Sequence, residues 1–344
     1  MNMAGKKVAV LGAGANGATI GADLTRAGID VVLIDQWPAH VETMRQKGVT
    51  QVMPDETLVT PVRAYHLCDV CTFTDAFDIV LLVTKAYDTR WSCQLIEPYL
   101  APGGLVAGVQ NGMTVDAIAD VVGAERTIGT VIEISSTMFE PGIVQRDSPP
   151  PRSWFAVGHV HPDAAGREEE IATLLRHVGA VEVVDDIVAA KWMKLVSNAT
   201  TLVTTAILGL PMLEAVELPG MRDLMIRSGQ EALDTGAALG HPVLPIFGLK
   251  AADVDRSNNL VEKLLDTLLG GFVLPSTKTT VLQDWMKGRH SEVGDLNGLV
   301  VAHQTRLGGS APVNAAVVAL ARRIERGELG PSPQNLSLLR ELAG

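Results

Sequence analysis

Val8-Ala9-Val10-Leu11-Gly12-Ala13-Gly14-Ala15-Asn16-Gly17 is the stretch on which the fold turns. Four apolar residues in succession suit a strand covered on both faces, and Gly12, Gly14 and Gly17 then spell G-x-G-x-x-G. In that pattern the first glycine permits a tight turn, the second lets backbone N–H groups approach a pyrophosphate at a helix N-terminus, and the third lets helix and strand pack closely. Ile20, Leu24 and Ala27 follow on one helical stripe closed by Gly28, and Val31–Asp35 is a second strand, so the segment predicts one βαβ unit. The loop residues Gly12, Gly14, Ala15, Asn16 and Gly17 are therefore candidate cofactor contacts.

Asp35 ends the second strand, where an acidic side chain accepts hydrogen bonds from adenosine ribose hydroxyls. A 2′-phosphate beside it would meet repulsion of about 4 kcal/mol per charge pair at 4 Å and an effective dielectric near 20. No arginine follows to offset this, the next residues being Gln36, Trp37 and Pro38. The expected cofactor is NAD in preference to NADP. The competing role for Asp35 is to cap a helix ahead of Pro38.

Working outward, Ile79–Thr84, Leu105–Gln110, Thr127–Val144 and Val181–Val184 read as further strands, with Ser148-Pro149-Pro150-Pro151 as a loop. Helical patterns alternate with these runs, which is how a parallel sheet is built. After Asp185 helical periodicity takes over, over about Ile187–Leu208, Gly220–Leu239 and Ala311–Glu325, with Gly240 and Gly327 as helix ends. The expected architecture is α/β: a Rossmann-type doubly wound parallel sheet in residues 1–186, then an all-helical domain in residues 187–344.

The chain has 344 residues, 47% hydrophobic and 19% charged, and its formal net charge is −11. That balance supplies a large core and no basic field for nucleic acid or anionic lipid. No apolar run has secretory or membrane-spanning length, so a cytoplasmic location is expected. Cys68 and Cys71 form C-x-x-C beside His66, but no second ligand pair follows at zinc spacing, and a redox or metal role is set aside. No metal is expected.

Three more segments carry polar residues in suggestive settings. Val109-Gln110-Asn111-Gly112 ends a predicted strand, where ligands of doubly wound sheets collect. In Lys191-Trp192-Met193-Lys194-Leu195-Val196-Ser197-Asn198, Lys194 and Asn198 are an i,i+4 pair, and a lysine so placed could protonate a carbonyl oxygen. Lys191 points within the same half-turn, so periodicity does not choose between the lysines, and a solvated helix face explains both equally well. The third segment runs from Thr279-Thr280 through Ser291-Glu292 to Asn297-Gly298.

Taken together, the glycine loop, Val83-Thr84-Lys85-Ala86, the Gln-Asn-Gly, the Lys-x-x-x-Asn and this last segment resemble the ketopantoate reductase family from residue 6 to about residue 320. The resemblance implies hydride transfer between NAD(P)H and the C2 carbonyl of a 2-keto acid, with a small 2-keto or hydroxy acid as partner and a homodimer as one compatible assembly. It implies Lys194 as general acid, Glu292 as a second catalytic group, a substrate-binding second domain with Asn198 as the lysine's partner and a substrate contact and Thr280 as the anchor of the substrate carboxylate, Asn111 by the nicotinamide, the substrate and the lysine, and Lys85 beside the cofactor.

Departures from the family pattern are equally plain. Leu202 and Val203 stand where an Asn-Pro pair usually helps hold the substrate, and Gly294 stands where Asp is frequent. An apolar Leu202 favours a substrate with more hydrocarbon near C3 or C4. Rival expectations are an NAD-dependent dehydrogenase of a more apolar hydroxy acid or alcohol, a member of the β-hydroxyacid dehydrogenase group, and a non-catalytic nucleotide sensor. The β-hydroxyacid dehydrogenase group does not account for the Thr280 to Glu292 segment, and a sensor has no need of Lys194, Asn198 and Glu292 together.

Overall fold

Alternate residues of the first strand serve opposite faces of a sheet. Val8 and Val10 join Leu33, Ile79, Leu81, Leu105 and Ala107 in one apolar cluster, while Ala9 and Leu11 join Val32, Ile34, Val80, Leu82 and Val106 in another. A computed structural model describes residue 3, residues 5–254 and residues 259–344; Met1, Asn2, Ala4 and residues 255–258 lie outside the described set. It divides the chain into two compact units, Met1–Val188 and Ala189–Gly344.

The first unit runs β1 (Lys7–Leu11), α1 (Ala15–Arg26), β2 (Asp30–Asp35), α2 (Pro38–Lys47), β3 (Val49–Val52), β4 (Thr57–Thr60), β5 (Ala64–His66), β6 (Phe77–Leu82), α3 (Thr89–Ile96), β7 (Leu100–Gly108), α4 (Val115–Val122), β8 (Thr127–Glu133), β9 (Ser136–Glu140), β10 (Ile143–Arg146), β11 (Trp154–His159), α5 (Glu168–Leu175) and β12 (Ala180–Val183). Its main sheet has the order β12-β11-β8-β7-β6-β1-β2-β5. From β5 to β8 the pairs are parallel, and β11 enters antiparallel to β8. This is the doubly wound pattern, with the strand order reversing between β1 and β6. Residues of α1, α2 and α5 cover one face and residues of α3 and α4 the other.

The run Thr127–Val144 is not one strand. It breaks into β8, β9 and the start of β10, and the turn before β10 holds Gly142 at φ 77°. β9 and β10 leave the main sheet to form a second, four-stranded sheet in the order β4-β3-β10-β9. Arg146 anchors it: the fully buried guanidinium donates to Asp23 of α1 at 2.6 Å and to the Val178 carbonyl at 2.9 Å. Burial lowers the Arg146 pKa and the adjacent Asp23 charge opposes that shift, which is the usual way an internal charge is kept.

The second unit is helical throughout its described residues: α6 (Ile187–Ala206, begun in the first unit), α7 (Met212–Val216), α8 (Met221–Ala238), α9 (Leu260–Gly271), α10 (Thr280–Met286), α11 (Asn297–Arg306), α12 (Pro312–Glu325) and α13 (Asn335–Ala343). The long helix α6 is rich in threonine yet buried. Thr200, Thr201, Thr204 and Thr205 each donate the hydroxyl to the carbonyl four residues earlier, at 2.6–2.8 Å, so the polar groups are satisfied within the helix. No helix among the described residues is long and apolar enough to cross a membrane.

Candidate active site

The three loop glycines have different reasons to be glycine. Gly12 has φ 95°, and a Cβ there would lie 2.7 Å from the Thr84 nitrogen in the loop after β6. At Gly17 a Cβ would lie 2.0 Å from the Gly12 carbonyl oxygen. Gly14 is otherwise: its φ is −61°, and a Cβ would meet nothing within 4 Å. The chain's own packing therefore demands the first and third glycines but not the second. A dinucleotide fits this geometry at Gly14, which opens α1 with no side-chain cap and no acidic residue in the first turn. Such an N-terminus favours an anion.

The loop is held from several sides. Gly12 and Ala13 donate their N–H groups to the Ile34 carbonyl at 2.9 and 3.2 Å, which sets the glycine turn beside Asp35. Ser136 donates to the Asn16 side chain at 2.6 Å. The fully buried His40 spans Ala13 and the second sheet: Nε2 lies 2.8 Å from the Ala13 carbonyl, and Nδ1 accepts from the Gly142 N–H at 2.9 Å. That pairing makes Nε2 the protonated nitrogen. Sequence reading missed His40 and Ser136, because neither belongs to the motif and both arrive from other elements.

Asp35 is buried at the end of β2, and its Oδ1 accepts from the Trp37 N–H at 2.8 Å just before α2. The helix-capping role expected as the alternative is not what this bond does: α2 has Trp37 at its N-cap and no side-chain cap, and the Asp35 carboxylate closes the turn before the helix while keeping its place at the strand end. The Gln110 amide joins the loops after β6 and β7: Nε2 donates to the Thr84 carbonyl at 2.8 Å and reaches the Lys85 carbonyl at 3.3 Å and the Thr89 hydroxyl at 3.1 Å. Lys85 and the half-buried Asn111 are therefore carried on loops fixed to each other, at the strand ends that also bear Gly12.

In the second unit, α6 carries Lys194, Asn198 and Leu202 at i, i+4 and i+8. Both lysines of the motif are buried, so the solvated-face alternative does not describe them. Burial pushes the Lys191 ammonium down from 10.5 to about 7. Two tethers grip this helix. Thr279 caps α10, accepting from the Leu282 N–H at 3.3 Å, and donates its hydroxyl to the Leu202 carbonyl at 2.9 Å. Asn297 at the start of α11 donates to the Ala199 carbonyl at 3.1 Å and to the Asn314 side chain at 2.8 Å.

These tethers bring the third segment to α6. Thr280 follows the Thr279 tether, and its hydroxyl oxygen is buried with no hydrogen-bond partner among the described residues. Glu292 is buried five residues before Asn297. Asp295 stands near it: burial first, and the Glu292 charge second, raise the Asp295 carboxyl above its ordinary value. A second carboxyl thus lies one position beyond Gly294. Phe247, in the loop after α8, places its ring centroid 4.9 Å from Lys194 Nζ. No local pattern marks Phe247 as part of a site.

Cys68 and Cys71 are exposed on a single 3₁₀ segment, Leu67–Thr72, where the Cys71 thiol donates to the Cys68 carbonyl at 3.0 Å. Among the described residues no group of His, Cys, Asp or Glu is arranged to hold a metal ion.

Comparison with known proteins agrees along the length of the chain. The model of the family "Ketopantoate reductase PanE/ApbA" matches residues 8–157, and that of "Ketopantoate reductase PanE/ApbA C terminal" matches residues 186–325. The 2-dehydropantoate 2-reductase of Caulobacter vibrioides is 29% identical, covering 91% of this chain and 97% of its own. Among solved structures, a PanE/ApbA family ketopantoate reductase from Ralstonia eutropha is 26% identical with TM-score 0.77, covering 94% of this chain and 99% of its own. D-mandelate dehydrogenase with NADH and anilino(oxo)acetate shares the fold at TM-score 0.82 and 19% identity, covering 93% and 99%. With both units matched, the chain belongs to the ketopantoate reductase family and is a nicotinamide-dependent oxidoreductase acting on a 2-keto acid.

Proposed function

We propose that residues 1–186 bind the dinucleotide, with NAD preferred, and that residues 187–344 bind a 2-keto acid whose side chain is more apolar than that of ketopantoate. The observation that carries the substrate side is the Thr280 hydroxyl, buried and without a partner beside the tether to α6. An unsatisfied buried hydroxyl costs about 1–3 kcal/mol, and a substrate carboxylate would accept its hydrogen bond.

When bound, the reduced nicotinamide supplies the hydride to the C2 carbonyl carbon. Lys194 hydrogen-bonds the carbonyl oxygen and gives it a proton as negative charge develops there. Asn198, one turn along, fixes the orientation of lysine or substrate. Glu292 hydrogen-bonds the nascent hydroxyl or the lysine. Gly12, Gly14, Ala15, Asn16 and Gly17 receive the pyrophosphate, Asp35 the ribose hydroxyls, and Lys85 and Asn111 lie toward the cofactor. Leu202 offers hydrocarbon where relatives offer an amide, which supports the apolar substrate; the D-mandelate dehydrogenase that shares this fold is named for such an acid and was solved with NADH. A cytoplasmic homodimer completes this reading, and light scattering would check the assembly.

The test is a panel of 2-keto acids with NADH and NADPH on the unmutated chain, Lys194→Ala, Lys191→Ala and Thr280→Val. Lys194→Ala should lower kcat by about 10²- to 10⁴-fold, and Lys191→Ala should leave kcat within a few fold. Thr280→Val should raise the keto-acid KM while leaving Tm unchanged or higher, since no internal hydrogen bond is lost. A preference for NADPH would remove Asp35 from cofactor choice, and ketopantoate as best substrate would remove Leu202 from substrate choice.

A further inference from the structure

Phe247 has φ 61° and is the one non-glycine residue with positive φ among those described. For a bulky side chain this is an outlier conformation, which persists where the surroundings over-determine it. Glycine would occupy it freely, as the next residue, Gly248, does at φ 76°. The turn itself therefore gives no reason for an aromatic residue at 247. The ring gives one: it is 6% exposed, it packs against Phe272 with centroids 5.5 Å apart at 48°, and Lys194 Nζ stands 4.9 Å from its centroid. An ammonium within about 6 Å of a ring centroid is attracted by the ring quadrupole, most strongly where water is excluded.

We infer that Phe247 is a positioning residue for the proton donor. A lysine side chain has several rotatable bonds and loses considerable freedom when fixed. The ring face offers one preferred seat for the ammonium, and the ring is itself held by Phe272 and by a backbone turn that leaves it little choice. The left-handed turn is then the means by which the loop after α8 delivers an aromatic face to α6. This inference rests on Lys194 as the proton donor.

The experiment uses the full chain with Phe247→Leu, which keeps apolar bulk without a π face, and Phe247→Tyr, which keeps the face. With NADH and either ketopantoate or 4-methyl-2-oxopentanoate, Phe247→Leu should lower kcat by roughly three- to thirty-fold, leave the NADH KM unchanged, and be rescued in Phe247→Tyr. Independently of turnover, the Lys194 ε-methylene resonance in lysine-labelled protein, identified by its loss in Lys194→Arg, should be shifted upfield by the ring. That shift should persist in Phe247→Tyr and vanish in Phe247→Leu. Unmutated kcat in Phe247→Leu, or a Lys194 resonance with no ring shift, overturns the inference. If Lys194→Ala instead keeps full kcat, the proton-donor assignment fails while the ring shift remains, and the two failures are distinguished.

Discussion

A methyl group added at Gly17 and one added at Gly14 meet opposite fates. At Gly17 it would run into the Gly12 carbonyl oxygen, a backbone atom that cannot swing aside. Gly17→Ala should cost at least about 1–3 kcal/mol as overpacking, a fall of several degrees in Tm. At Gly14 the space is open and the backbone ordinary, so Gly14→Ala should melt within about 2 °C of the unmutated chain. Its NADH Kd should nonetheless rise at least several-fold; unchanged affinity would mean that the pyrophosphate does not approach there. Lys191 gives a residue-scale expectation for pH. Its ammonium titrates near 7 in the folded chain against 10.5 ordinarily, so between those values the unfolded chain holds the extra proton and stability rises with pH. The slope is about 1.4 kcal/mol per pH unit for one proton. Denaturant melts at pH 7 and pH 9 should show the rise, and Lys191→Met should remove its share; equal slopes in the two proteins would place the buried charge elsewhere.

Among the elements, Thr279 does two jobs with one oxygen, capping α10 and tying it to α6 at Leu202. Thr279→Ala should lose about 1 kcal/mol from the cap alone, and it should raise the keto-acid KM because Thr280 would no longer be held to α6. A stability loss with KM unchanged would confine Thr279 to capping. The same element shows where sequence stops being informative. Thr279 and Thr280 read alike as two hydroxyl residues, and only the partner at residue 202 tells the tether from the unpaired hydroxyl. Strands β1, β2, β6 and β7 were legible because strands covered on both faces are nearly continuous apolar runs. The strands β3, β4 and β5 were not. They hold three or four residues each, with polar side chains such as Thr50, Gln51, Thr57 and His66, and their identity is conferred by the neighbours they pair with.

Over the whole molecule, what was legible of the candidate site is what is contiguous. The glycine loop, Asp35 and the Lys194–Asn198 pair each lie within one element or turn. His40, Gln110, Asn297 and Phe247 act across 27, 26, 98 and 53 positions respectively, and no short window of sequence holds both partners. The bond from the Trp37 backbone N–H to Asp35 has a further consequence, an optical one. Trp37 is partly buried, tilted against His40 at 5.8 Å, and fastened through its backbone N–H to the carboxylate proposed above to hold the ribose. The four other indoles donate their ring N–H groups within their own unit: Trp91 to Asp88, Trp154 to Glu182, Trp192 to the Ala232 carbonyl and Trp285 to Glu325. Indole emission overlaps the absorption of a dihydronicotinamide, so the chain carries an internal gauge of its own occupancy that needs no label. Titration with NADH should quench the emission, and Trp37→Phe should remove part of that quenching while the remaining indoles continue to report.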